Sequence, residues 1–324
     1  MNNTKIMISF ALIAVVIAVS GCVGQKAVTV TQTDGLVITN FDSDAAVDGV
    51  GEGEIITFML DVENQGGTDA TFVKAELSGV EGSWRETDGS LVVDTLPKWG
   101  EITLRAPDLE NNIPGDYKTT FWRLKTPDVP QLTYTLPPVI AKVTYNYHTT
   151  GSIQIHALGE TYYRTEFSAK GKPVPNPMTV QNTNAPVQIL LTDKTNPIIV
   201  EDTADADEIQ VFPVRFVLKN VGSGFPITEG VPGKFFGTIQ LAGPFKFYDC
   251  LGQQDTPRID ITEESEEFAK LKTKSGEAII SCELYVPRSV WGERQEETID
   301  MKFDLFYRYY IDSSVSIKVF GSSR

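Results

Sequence analysis

Apolar and polar residues alternate along most of this chain with a period of two, the pattern of strands that bury one face. The alternation is clearest in two stretches that match without a gap, VTYNYHTTGSIQIHALG from Val143 to Gly159 and LFYRYYIDSSVSIKVFG from Leu305 to Gly321. Tyr145 meets Tyr307, Tyr147 meets Tyr309, Ile155 meets Ile317 and Gly159 meets Gly321. A self-match of this length predicts an internal duplication. Within the first copy Val143, Tyr145 and Tyr147 share one face, and Ile153, Ile155 and Ala157 follow. Folding the two sets against each other predicts a hairpin closed by Thr149, Thr150 and Gly151, with glycine at the left-handed bulge position. The second copy carries Ile311, Asp312 and Ser313 there, so its turn is expected to be built differently.

Earlier segments repeat as well. Ile55 to Val62 runs into Asn64-Gln65-Gly66, and Phe212 to Leu218 runs into Asn220-Val221-Gly222, each an apolar strand closed by a turn signal. Both continue to a strand ending in glycine, VKAELSG from Val73 and GTIQLAG from Gly237, and both return through a glycine-led strand followed by Pro127 or Pro287. No long amphipathic helix is legible, and Glu263 to Lys272 is the best short candidate. The predicted fold class is therefore all-β: two tandem antiparallel β-sandwiches related by internal duplication, after an N-terminal signal or anchor segment. The expected layout is a signal peptide over 1–21, an anchor and tether over 22–26, domain one over 27–171, a proline-rich linker over 172–185 and domain two over 186–324. Pro173, Pro175 and Pro177 in the linker favour a semi-rigid joint.

The phrase of an alternating strand, Asn-x-Gly, then a strand ending in Leu-x-Gly resembles the Ig-like modules of archaeal and bacterial surface proteins, including the CARDB-type adhesion-related domains. It covers about a third of each repeat. The resemblance implies a seven-stranded sandwich and a role in spacing, adhesion or assembly rather than catalysis.

The chain opens with a short positive head, an apolar run from Ile6 to Val19, and Ser20-Gly21-Cys22. This is the pattern of a secretory signal. Val19 to Cys22 is similar to the lipobox of lipoprotein signal peptides, which implies cleavage before Cys22, a lipid on its sulfur, and an extracytoplasmic protein held on the outer face of the membrane. The competing reading retains Ile6 to Val23 as a spanning helix, since about 18 apolar residues lie at the lower edge of what crosses a bilayer.

Composition narrows the partners. The 324 residues carry a formal net charge of −15, which repels phosphate backbones and argues against nucleic acid. With Cys22 assigned to lipid, the remaining cysteines are Cys250 and Cys282, and an exported compartment permits them to form a disulfide. Closing that loop of about 33 residues would contribute on the order of 3 to 4 kcal/mol. The alternative is two buried thiols.

Three constellations are candidates for chemistry. The only two histidines, His148 and His156, lie in the predicted hairpin, where His156 falls opposite Thr144, about 13 Å from His148 and too far to share a metal. No nucleophile elbow, zinc-protease helix or phosphate-binding glycine loop is present. Acidic loops carry Asp42, Asp44 and Asp48 before an early strand of the first repeat and Asp202, Asp205 and Asp207 before the matching strand of the second. Such carboxylates could bind calcium, although neither loop has the EF-hand pattern; the other reading is a plain solvated loop. Finally, Phe306, Tyr310 and Phe320 take polar-face positions that in the first copy are Thr144, His148 and Leu158. Aromatics exposed there would bind a partner or a carbohydrate; alternatively domain one or the insertion around Glu263 covers them.

The function these features imply is that of a non-catalytic, lipid-anchored surface module for adhesion or envelope assembly. Its partners would be the membrane, through Cys22, and other envelope proteins or further copies of itself; no cofactor is required, calcium excepted. Two alternatives are an accessory lipoprotein of a transport or secretion complex and a filament subunit that exchanges strands.

Overall fold

The computed structural model describes residues 34–173, 180–192, 197–202, 209–228, 231–262, 264 and 276–321. Residues Gln32–Arg324 form one compact unit. The apolar leader with Cys22, the first residues (27–33) of the expected domain one, Asp205, Asp207 and nearly all of the helix candidate after Glu263 lie outside the described residues. Among the described residues no helix is long and apolar enough to cross a membrane.

The chain is all-β, as the alternation requires. The first repeat supplies β1 (Leu36–Ser43), β2 (Val50–Gly51), β3 (Ile55–Asn64), β4 (Ala70–Ser78), β5 (Leu96–Leu104), β6 (Tyr117–Lys125), β7 (Tyr134–Thr135) and β8 (Pro138–Gly159). A short helical segment spans 160–169. There follow β9 (Val180–Asn182), β10 (Val187–Leu191), β11 (Ile198–Val200), β12 (Val211–Asn220), β13 (Phe225–Thr228), β14 (Val231–Pro232), β15 (Phe236–Ala242), β16 (Lys246–Cys250), β17 (Arg258–Ile261), β18 (Glu277–Tyr285), β19 (Glu296–Ser316) and β20 (Val319–Phe320).

The duplication is visible in how strands pair. β1, β3 and β6 form one sheet of the first repeat, and β10, β12, β18 and β16 form its counterpart in the second. Opposite them, β4 pairs with β5 and β8, and β15 pairs with β17 and β19. In the first repeat the two layers meet through Trp122, whose indole N–H donates to the Leu96 carbonyl across the sandwich at 3.0 Å. In the second, the rings of Phe216 and Phe303 pack edge to face at 5.1 Å. Cys250 and Cys282 face each other across β16 and β18 and are joined as a disulfide.

The predicted hairpin does not form. β8 runs unbroken through Thr149, Thr150 and Gly151, and β19 runs unbroken through Ile311, Asp312 and Ser313. The reason lies in the parity of the alternation, which is never broken: Tyr147, Thr149, Gly151 and Ile153 all point inward and are buried. The Thr149 hydroxyl meets its polar obligation on the Val187 carbonyl and the Tyr307 hydroxyl at 2.9 and 2.8 Å. Gly151 is a site of close approach, since a Cβ there would lie 2.6 Å from Ile189 Cδ1. These residues that read as a turn are inward positions of a long strand.

β8 and β19 instead pair with each other, antiparallel, from Pro138 opposite Ser316 to Leu158 opposite Glu296. Tyr145 lies opposite Tyr309 and Tyr147 opposite Tyr307. Because Tyr145 and Tyr307 are repeat equivalents, this register is that of a local two-fold axis through the pair Asn146 and Arg308. The second half of β8 thereby borders the second repeat, where it also pairs with β9 and β11, and Gly151 meets Ile189. One hydrophobic cluster runs through both repeats.

Candidate functional site

Two faces of the shared sheet meet at this axis. Inward, Tyr145, Tyr147, Tyr307 and Tyr309 are buried, and neighbouring rings pack at 5.7 to 6.4 Å. Their hydroxyls tie each repeat's first strand or turn to the centre. Tyr145 Oη accepts the Leu36 N–H at 3.2 Å, and its equivalent Tyr307 Oη accepts the Val187 N–H at 3.4 Å. Tyr147 Oη accepts from Thr68 N at 3.3 Å, and Tyr309 Oη donates to Asn220 Oδ1 at 2.8 Å. Burial pushes the pKa of all four phenols above the ordinary value.

The Asn-x-Gly phrase belongs to this arrangement. Asn64 Nδ2 donates to the Thr68 carbonyl and Asn220 Nδ2 to the Gly224 carbonyl, both at 2.9 Å, closing the same loop in each repeat. A Cβ on Gly66 would lie 1.9 Å from Tyr147 Oη, and one on Gly222 would lie 2.7 Å from Tyr309 Oη. Asparagine closes the turn, and glycine makes room for the tyrosine. The interior of the axis is thus structural.

The outward face carries the candidate site. Cross-strand rows run over it at intervals of two residues. One row is His148, Phe306 and Phe236, on β8, β19 and β15. The imidazole of His148 stacks on Phe306 with centroids 4.3 Å apart and planes within 4°, and its Nε2 bonds the carboxylate of Asp304. Phe306 remains 49% exposed and Phe236 37%. On one side lies the row Thr71, Asn146 and Arg308, and on the other Thr150, Asp304 and Thr238.

Two open grooves, of about 730 and 750 Å³, flank this aromatic row and share Phe306 as a wall. Asn146, His148, Phe236 and Arg308 line the first; Gln181, Gln240, Arg258 and Lys302 line the second. β4 changes register beside the first groove, between Thr71 and Lys74, and Phe72 is held there at φ 51°. A bulky residue at positive φ carries strain that the surrounding structure must overcome, a feature concentrated at functional positions.

The sequence candidates fall in different places. Phe306 and Tyr310 share the outward face. Tyr310 stacks on Phe225 at 5.2 Å and lies 4.5 Å below Lys142 Nζ, leaving its ring only partly accessible. Phe320 is elsewhere, in the small sheet of β2, β20 and β7, beside Tyr134. His156 lies opposite Thr298, on the same strand and face as His148, whereas the hairpin register had placed it opposite Thr144.

Three carboxylates of the acidic loops accept from backbone N–H groups. Asp42 accepts from Ser43 N at 2.8 Å, Asp44 from Thr57 N at 2.6 Å and Asp202 from Thr161 N at 2.6 Å. The Thr161 bonds hold Asp202 below its usual pKa. Among the described residues no three His, Cys, Asp or Glu side chains gather as a metal would need.

Phe236 and Asn146 were missed from the sequence because their place beside Phe306 depends on register, which the hairpin reading had wrong. The available signal was that both long stretches preserve inward parity through the supposed turn.

No protein-family model matches the chain, and no curated protein matches it. Among solved structures it is similar to the C-terminal globular domain of an oligosaccharyltransferase from Pyrococcus abyssi, at 11% identity over 90% of this chain and 50% of that one, with a TM-score of 0.24. It is also similar to red sea bream transglutaminase, at 14% identity over 88% and 31% with a TM-score of 0.18. A third likeness is to Escherichia coli alpha-2-macroglobulin, at 10% identity over 87% and 32% with a TM-score of 0.19. The chain spans half or less of each of these proteins, and at these TM-scores the likenesses carry no functional argument.

Proposed function

We propose that this protein is an extracytoplasmic binding module, lipid-anchored through Cys22, whose contact face is the outward side of the sheet shared by its two repeats. The observation that carries this reading is the half-exposed Phe306 standing between two grooves on a face built from both repeats. Binding surfaces combine such apolar anchors with a polar surround. A body in which the repeats pair along β8 and β19 would present that face as a rigid unit.

Binding is favoured over catalysis by the side chains at the face. His148 is stacked on Phe306 and bonded to Asp304, which leaves it anchored as part of the surface. Adhesion, envelope assembly and service to a transport complex differ in the partner, which capture experiments would identify.

The test places a photo-crosslinking residue at position 306, and separately at 279, in native membranes. Ile279 is 60% exposed on β18, in the other layer of the second repeat. Capture of an envelope component from 306 and none from 279 is expected. Equal capture from both, or capture from 279 alone, would refute the assignment of the face. The mass of the mature N-terminus checks the anchor, which requires lipidated Cys22.

A further inference from the structure

We infer that the ligand of this face is an oligosaccharide bearing carboxylates, of uronic-acid type, laid across Phe306 from one groove into the other. The inference rests on the binding-module reading and gives that module its ligand class.

The repeats supply an internal control. Phe306 and Thr144 are equivalent positions on equivalent strands, and the residues opposite them are Phe236 and Lys74. The same long strand is therefore built with threonine in one repeat and a half-exposed phenylalanine in the other. The fold does not require the exposed ring. Its orientation is nonetheless fixed, by parallel stacking on His148, which Asp304 holds in turn.

The surroundings select among ligands. β19 is interior here, paired with β15 on one side and β8 on the other up to Phe306. β8 leaves β4 at Asn146 and meets β9 from Gly151. In between, the His148 carbonyl accepts from the Thr68 hydroxyl and the Thr150 carbonyl from Thr183 N, at 2.9 Å each, so a peptide has no free edge to extend here. The exposed aromatic row is narrow and bordered by polar rows, which suits a sugar better than an acyl chain. A sugar ring offers a C–H face to an aromatic ring and hydroxyls to flanking planar donors and acceptors. Asn146 on one side and Gln240 on the other are such groups. Two grooves of about 730 and 750 Å³ meeting at Phe306 give an extended site that spans several sugar units.

Charge points to an acidic sugar. The chain carries a net −15, yet Arg308 and Lys302, on the same strand face as Phe306 and on either side of it, make no ion pair among the described residues. The carboxylates nearby are engaged: Asp304 by His148, and Asp69 by the Ala106 N–H at 2.8 Å. A guanidinium left open in this way suits a carboxylate in bidentate geometry.

The experiment titrates the full chain, in detergent, with oligogalacturonate and with its neutral methyl ester, following heat. The acid is expected to bind about tenfold or more tightly than the ester, a single charged contact being enough for that difference. Phe306→Thr installs the residue the first repeat carries and should weaken the acid about tenfold or more while leaving the thermal midpoint in place. Should that variant fail to fold, Arg308→Gln carries the test, and it should weaken the acid while sparing the ester. Equal binding of acid and ester overturns the carboxylate assignment. No binding of either, or binding unchanged in the folded Phe306→Thr variant, overturns the glycan assignment. If crosslinking from position 306 still captures an envelope component in that case, the binding module stands and only its ligand class falls.

Discussion

Ile155 belongs to the first repeat by sequence, but its place in β8 puts it opposite Ile299, in the half of the strand that borders the second repeat. It is fully buried. Ile155→Ala removes buried methyl and methylene groups and leaves a cavity, at a cost of about 3 kcal/mol. That corresponds to an opening equilibrium roughly a hundredfold larger. Hydrogen exchange resolved by peptide would read it, comparing β12 and β18 of the second repeat with β3 and β6 of the first. The single hydrophobic cluster through both repeats predicts the same acceleration in all four strands. Acceleration confined to β3 and β6 would refute the crossing of β8 into the second repeat. Acceleration confined to β12 and β18 would refute the coupling of the two cores.

Two other outcomes follow from the interior. Burial raises the folded-state pKa of Tyr145, Tyr147, Tyr307 and Tyr309 above the ordinary phenol value of 10.0. Their contribution is therefore fully present below pH 10 and lost as pH rises, because the unfolded chain ionises first. Four such groups give a slope of up to about 5 kcal/mol per pH unit, so ionisation of these four and unfolding should come together in one steep step; tyrosinate absorbance amounting to all 11 tyrosines near pH 10 in a chain that stays folded would contradict it. Replacing both Cys250 and Cys282 by serine should lower stability in denaturant by about 3 kcal/mol, and an unchanged midpoint would show that the β16 and β18 pairing holds without the bridge.

Much of the fold was legible because the apolar alternation reports inward and outward faces directly. The duplication was legible for the same reason: Tyr145 and Tyr147 recur as Tyr307 and Tyr309 because both pairs fill one centre. What could not be read was where the strands end. Thr149, Thr150 and Gly151 carry turn composition, but turn propensity is weak against tertiary context, and a buried hydroxyl with partners plus a close approach at Gly151 keep them in the strand. Once the hairpin was assumed, His156 fell opposite the wrong residue and Phe236 could not be placed beside Phe306. The candidate face depends on pairing between residues far apart in sequence, and the alternation of a single strand holds no information about its neighbour. Phe306 itself stood out because Thr144 offered an internal comparison.

The account turns on β8 and β19 running unbroken and pairing with each other, since the outward face exists only if they do. Cysteine substitution at Asn146 and Arg308, which lie opposite each other at the axis, followed by mild oxidation, tests this most directly. Opposed residues on neighbouring strands bring their Cβ atoms to within about 5 Å, close to disulfide range, and Cys250 and Cys282 are already bonded to each other. The account predicts an intramolecular bond between 146 and 308 that forms in the folded protein and raises its resistance to denaturant. Two free thiols after oxidation of the folded chain, or a bond that appears only between molecules, would contradict the shared sheet and the binding face built on it.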